Sequence, residues 1–578
     1  MKRLSCVAFA TFACLGTAHG QLTPSAPQQV SVGIGGTAPD GKSDKPAVPP
    51  NGEIVVFQSA ATNLVPGDSN NVTDIFLADA NNSLSRVSVS STGEQSNGRS
   101  EEPAISPVFP DGAYAVAFAS NATNLVPELG IVPEARKQIY LRIPAIGKTV
   151  LVSRSLSAGI VGGNGDSTHA SVTGVDEKEG RRYLVAYTTL ATDVASDSNG
   201  SPGSPANGAN PSSQIVFAVV DGKDGSIKST SRYVSSGGII PNGSVFNPVL
   251  SGRGDALVFL STASNLGFDN SASYVQVLLA KKDASELRLV SAGPDGAAGS
   301  LSSDSPSISF KGDFIGFTTS AYNILNSSAS NQSAALYTSS NGAAALLNQN
   351  AQGIRGTGGL VFGSMINRNG RLATFVDSSD VFVSGDTNQL EDVFVKDIAK
   401  GAVVRVNTSA TGAQSDGLSR QAVIGGSGYN RPTAQVAFYS EATTLATAGN
   451  GTVGNVYRVR LTFPPPPLTK TTKIESPPDV TAGKKKLSLV LQEFDLTSSA
   501  ASSLDSSVRA SANTATYDIR LLKLGSKKGV RRSSKTNKVT LRNLTAGKYT
   551  LRYRVTGKVS GKTVTTGYSP TITVVVTG

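Results

Sequence analysis

Seven short β-runs, each closed by an aromatic residue, recur along this chain at near-even spacing. They are "EIVVF" at Phe57, "YAVAF" at Phe118, "YLVAY" at Tyr187, "ALVFL" around Phe259, "FIGF" at Phe317, "LATF" at Phe375 and "QVAF" at Phe438. Successive anchors lie 58 to 72 residues apart. Self-similarity at such a period means stacked or circularly arranged copies of one small unit, because a unit this short buries its apolar face only against a neighbour.

Each anchor leads into a related turn, among them "SAATNLV", "SNATNLV" and "STASNLG". An Asx recurs at or near one place in it (Asn63, Asn124, Asp193, Asn265, Asn323, Asp380), which suits a local side-chain-to-backbone turn. A second strand follows ("DIFL", "QIYL", "DVFV") and then a third ("RVSVS" at Arg86, "VLVS" at Val150, "VVRVN" at Val403). The seventh copy stops at "NVYRVRL" without its third strand. The missing text stands at the other end of the chain, where "QQVSVGIGGTAPDGKSDKPAVP" from Gln28 matches "SRVSVSSTGEQSNGRSEEPAIS" from Ser85. Mixed termini that complete one unit close a ring and leave no open array end. The expected fold is therefore all-β, a seven-bladed β-propeller over residues 27–463 closed by N- and C-terminal strands. The blade phrase, best preserved in the first and sixth copies, resembles the TolB-type, WD-like propeller repeat of bacterial exported proteins. That resemblance implies the fold; propellers host too many unrelated activities for it to imply one.

Composition agrees with a β-protein: 16% charged residues, 60 Gly and 39% hydrophobic. Lys2 and Arg3, the apolar "LSCVAFATFACLGTA" and "AHG" before Gln21 read as a signal peptide over residues 1–20, which predicts export to the periplasm or cell exterior. No later apolar run is long enough for a transmembrane helix. Both cysteines, Cys6 and Cys14, fall inside that segment, so the mature chain rests on its core without disulfides.

After a Pro-rich linker at 464–470, "TFPPPPLTK", come further β-runs such as "TYDIRLLKL" and "YTLRYRVTGKV". They predict a β-sandwich over 471–578 and resemble a fibronectin type III or Ig-like domain, with Tyr549 as its corner tyrosine. From residue 467 onward there are 20 Lys+Arg against 6 Asp+Glu, a net of +14, while the remainder nets −3. The basic bias predicts attraction to anionic surfaces or polymers; without interleaved aromatics in its basic loop, specific nucleic-acid recognition is not expected.

"GDSNNVTD" and "GDTNQLED" place Asp68, Asn70, Asp74 and Asp386, Asn388, Asp392 at positions 1, 3 and 7 of a loop. Those oxygens could hold Ca²⁺, although Val72 or Leu390 at position 5 and the absent Gly and Glu fall short of an EF-hand. The other reading is an Asx-rich hairpin loop in which no metal is required. His169, in "GDSTHAS", is the one histidine after the signal segment and reads as a surface-loop residue. No G-x-S-x-G elbow is present, and no catalytic or cofactor-binding residue is assigned. Three functions remain: a non-catalytic propeller that binds a protein or polysaccharide on one face, a carbohydrate-active enzyme with paired Asp/Glu in the channel, and a Ca²⁺-stabilised envelope protein.

Overall fold

A computed structural model describes residues 22–462, less 51–53, 130–135, 158–160, 178–179, 196–212, 234–238, 284, 326–331, 357–364, 427–432 and 446–452. It also describes residues 479–576, less 484–485, 491–515, 524–528, 536–537, 543, 545–546, 560–561, 566–567 and 570–571. The expected signal segment and the linker at 464–470 lie outside the described residues. Two units emerge, residues 22–462 and the C-terminal strands from Asp479. Among the described residues, no helix is long and apolar enough to cross a membrane.

Seven antiparallel sheets make up the first unit. Blade 1 is typical, with strands Ser43–Ala47, Val55–Ser59, Asp74–Ala78 and Leu84–Arg86 paired in chain order. Blades 2 to 6 begin at Ser100, Ser167, Val245, Ser303 and Met365. The first strands of consecutive blades touch in a closed circuit that runs from blade 1 to blade 7 and back. They are therefore the innermost strands.

Blade 7 is Ser419–Gly425, Thr433–Ser440 and Asn455–Thr462, completed by Thr23–Pro24 and Gln28–Gln29 of the N-terminus. The two ends of the chain close the ring as their sequence match requires. Ser31 Oγ donates to Asn455 Oδ1 (3.0 Å) and accepts from the Val456 N–H (3.1 Å). Ser88 does the same within blade 1, donating to Asp74 and accepting from the Ile75 N–H.

The anchors Phe57, Phe118, Tyr187, Phe259, Phe317, Phe375 and Phe438 are all fully buried, each on the second strand of its blade. Core clusters span neighbouring blades, as where Val56 and Leu77 of blade 1 pack with Phe118 and Tyr140 of blade 2. One strand per blade is absent from the sequence reading. The innermost strand carries short polar text such as "SDKPA" and "SEEPAI", and its pairing register shifts within the first few residues. A bulge of this kind destroys the period-two pattern by which a strand is recognised.

The recurrent turn also differs from expectation. Its Asx does not bond locally. Asn63 Oδ1 accepts the Asp40 N–H (3.2 Å) and Asn63 Nδ2 donates to the Ala38 carbonyl (2.7 Å), while Asp40 accepts the Thr62 N–H (2.6 Å). The crossover arriving from the previous blade is thus clasped to the turn of the next. Asn97 with Thr123 and Asn124, Asn164 with Thr192 and Asp193, and Asn242 with Ser264 and Asn265 repeat it.

In the second unit, Asp479–Gly483, Lys486–Val490 and Lys538–Arg542 form one antiparallel sheet. Gly529–Ser534, Thr516–Lys523, Gly547–Val559, Lys562–Thr565 and Ile572–Val576 form a second. Tyr517, Ile519, Leu521, Tyr549, Leu551, Tyr553 and Val555 alternate along the two central strands and are buried, which gives the second sheet one apolar face.

Candidate functional site

The repeated acidic loop joins the second and third strands of blades 1 and 6. Asn70 Oδ1 accepts the Val72 N–H (3.2 Å) and Asn388 Oδ1 the Leu390 N–H (3.1 Å), each an Asx turn. The left-handed residues are the next ones along, Asn71 and Gln389 (φ +55° and +56°). Asp74 and Asp392, both fully buried, head the third strands.

The structure does bring the predicted residues together, but around an arginine. In blade 6, Arg405 Nη1 reaches Asp386 Oδ1 and Asp392 Oδ2 at 2.9 Å each. Asn407 Nδ2 donates to the other Asp392 oxygen at 2.6 Å. In blade 1, Arg86 stands 3.4 Å from Asp68 and 3.8 Å from Asp74, which also accepts from Ser88, Ser96 and Asn70. A guanidinium supplies the positive charge of each cluster, and Asn70 turns its amide N–H₂, not its oxygen, to the carboxylate. The residues as arranged do not fit Ca²⁺, which needs six or more oxygens converging on free space. Burial pushes the Asp68 and Asp386 carboxyls up, with Arg86 and Arg405 pulling the other way. In blades 2, 4 and 7, Gln138, Gln276 and Asn455 head the corresponding strands without charge.

A second constellation was not legible as a site. In six blades, one innermost-strand residue at the bulge adopts left-handed φ: Lys45, Glu102, His169, Asn247, Ser305 and Gln421, with φ from 47° to 57°. Blade 6 has its corresponding stretch outside the described residues. Four of these six donate their backbone N–H to a side chain of the preceding blade. Lys45 donates to Gln421 Oε1 (2.7 Å), Glu102 to Gln58 Oε1 (3.0 Å), His169 to Glu102 Oε2 (3.0 Å) and Asn247 to Thr188 Oγ1 (3.0 Å). After Lys45, Glu102, Asn247 and Ser305 the next residue is proline, which has no N–H to lose at a bulge.

His169 is therefore an innermost-strand residue and not a loop residue. Its Nε2 lies 3.5 Å from Glu102 Oε1, and Lys45 Nζ lies 3.3 Å from the same oxygen. The imidazole is half exposed at the centre of the ring, yet enclosing chain on its other sides pushes its pKa below the usual value, more than Glu102 raises it. For Glu102 the balance is opposite. Burial alone would raise its pKa, but His169 and its backbone N–H, together with Lys45, hold the carboxyl below the ordinary range. Glu101 is likewise held down against burial by Lys137, at 2.7 Å, and Arg99.

The fold and this centre define a seven-bladed β-propeller whose inner strands present a mixed polar ring. No protein-family model and no curated protein matches the chain. Among solved structures, it is similar to the acylaminoacyl peptidase of Pyrococcus horikoshii (13% identity, TM-score 0.38, 78% of this chain and 57% of that one). It is similar also to a puromycin hydrolase (13%, 0.39, 82% and 62%) and to a putative TolB from Agrobacterium tumefaciens (13%, 0.27, 52% and 79%). The alignment thus takes in less than two thirds of the length of either hydrolase.

Proposed function

We propose that this chain is an exported, non-catalytic binding propeller that takes a protein or polysaccharide segment at the ring of innermost-strand bulges. One observation carries the reading. The same strained backbone position recurs in six blades while its side chain changes from Lys to Glu, His, Asn, Ser and Gln. The backbone is fixed by the blade, so what varies is the chemistry offered at the centre. A ring of amides, hydroxyls and alternating charge suits a hydroxyl- or peptide-rich ligand, which is recognised by many directed hydrogen bonds. A glycosidase reading has less support, because its general acid needs a raised pKa, whereas Glu101 and Glu102 are both held low.

Panels of soluble oligosaccharides and peptides, titrated against the protein and its Lys45→Ala/Glu102→Gln variant, test this. The expected result is at least one ligand class bound by the parent, weakened about tenfold or more in the variant, and recovered unmodified. Equal binding by parent and variant would remove the ring from the mechanism, and turnover of a bound glycan would make the protein an enzyme.

A further inference from the structure

The second unit holds a feature that neither its basic loops nor its strand pattern announced. Strands Thr516–Lys523, Gly529–Ser534 and Gly547–Val559 contain two, two and four Lys or Arg, against one acid, Asp518. Alternation sends Tyr517, Ile519 and Leu521 into the core, so Asp518, Arg520 and Leu522 occupy the opposite face. In the pairing register, Arg520 lies directly opposite Arg531 on one side and Arg552 on the other. Three arginines therefore form a line across three adjacent strands, with Arg554 two residues along from Arg552.

Like charges placed directly opposite each other destabilise a sheet. Among the described residues, a ring and a carboxylate relieve this repulsion. Arg520, Arg552 and Arg554 gather around the Tyr568 ring, at 4.4, 4.6 and 5.1 Å from its centroid. Asp518 is engaged by Arg554 (3.1 Å) and by the Tyr568 hydroxyl (3.2 Å). Among the described residues, Asp518 is the one acid on these three strands, against eight Lys or Arg. Arg531 and Arg552 are exposed, and Leu522 lies 43% exposed on the same face.

We propose that this face binds an acidic linear polysaccharide, its carboxylates received by Arg531, Arg520 and Arg552. Adjacent strands lie about 4.8 Å apart, so the outer two arginines sit about 10 Å apart, a row that an extended chain with regularly spaced acids can follow. Guanidinium forks match carboxylates in a bidentate way, and contact with the Tyr568 ring holds Arg520 and Arg552 in place in advance. A bilayer is less well matched, since one exposed leucine gives little apolar area to insert. The arginines of this face are none of the residues named in the ring, so its failure and that of the ring are read on different variants.

The full chain is titrated with fluorescent polygalacturonate at low ionic strength, beside anionic phospholipid vesicles and single-stranded DNA. Two double variants remove equal charge: Arg520→Gln/Arg552→Gln on the face, and Arg532→Gln/Arg542→Gln off it, Arg532 pairing with the core-facing Ile519 and Arg542 lying in the other sheet. We expect polygalacturonate affinity to fall about tenfold or more in the first and to change little in the second. Thermal melting of the face variant should be unchanged or raised, because it removes a like-charge pair. Equal losses in both variants would reduce the effect to net charge and overturn the proposal. So would binding of vesicles or DNA with polygalacturonate ignored, or a face variant that melts well below the parent.

Discussion

At the scale of single residues, the buried acidic clusters of blades 1 and 6 are each organised around an arginine. Arg405 stands between two aspartates that are both within a few per cent of full burial. Removing one partner of a buried ion pair leaves its partners unpaired in low dielectric, which typically costs about 3–5 kcal/mol. Arg405→Met should therefore lower stability by roughly that amount in denaturant unfolding at neutral pH. The sign of the pH effect follows from the raised carboxyls. Asp386 already holds its proton more tightly folded than unfolded, so its contribution is most favourable below the ordinary carboxylate range and is lost as pH rises through the raised value. The variant's deficit should accordingly shrink as the pH is lowered. Parent melting curves with Ca²⁺ and with EDTA should superimpose; a calcium-dependent rise that is lost in Asp68→Ala/Asp386→Ala would show that the guanidinium yields its place to a cation.

At the scale of the element, the clasp between crossover and turn depends on glycine. Asp40-Gly41, Asn97-Gly98, Asn242-Gly243 and Asp416-Gly417 bring the crossover against the backbone of the Ala-Thr or Ala-Ser turn. A Cβ on Gly98 would stand 2.7 Å from Asn121 Oδ1 and 2.8 Å from the Ala122 nitrogen. Gly98→Ala should destabilise the protein by about 1–3 kcal/mol, as overpacking does, measured by chemical denaturation; an unchanged midpoint would mean the crossover can lift away. The alanine turn was visible in the sequence, and Asp40-Gly41 and Asn97-Gly98 stand within the matched stretches from Gln28 and Ser85, but nothing in either phrase joins it to the other. Their bonds join residues 22 to 29 positions apart, a range at which side-chain-to-backbone pairing has no sequence period.

At the scale of the whole molecule, stability is tied to closure. Val30 is fully buried, its N–H donates to the Val456 carbonyl (2.8 Å), and Gln28 and Gln29 pair with Arg458 and Tyr457. Across the same junction, Arg458 on the third strand of blade 7 donates to the Asp79 carbonyl (2.9 Å) and to Asn82 Oδ1 (2.7 Å) in blade 1. Deleting residues 22–31 should bare the edge of Asn455–Thr462 and lower the melting temperature sharply, with light scattering reporting association through the open edge. A truncated chain that melts like the parent and stays monomeric would mean that the ring closes without its N-terminal strand.

The number of blades, the mixed-terminus closure and the buried aromatic anchors followed from the sequence alone, because repetition and alternation are local patterns that survive without coordinates. Tertiary structure decided the rest. Asp68, Asn70 and Asp74 read as ligands for a cation until Arg86, brought in from the next strand, appeared among them. His169 read as a loop residue until a bulge placed it on the innermost strand beside Glu102. Arg520, Arg531 and Arg552 read as scattered charge until strand register aligned them. In each case the deciding partner lies on another strand, and pairing across strands is set by the whole fold and not by any one segment of chain.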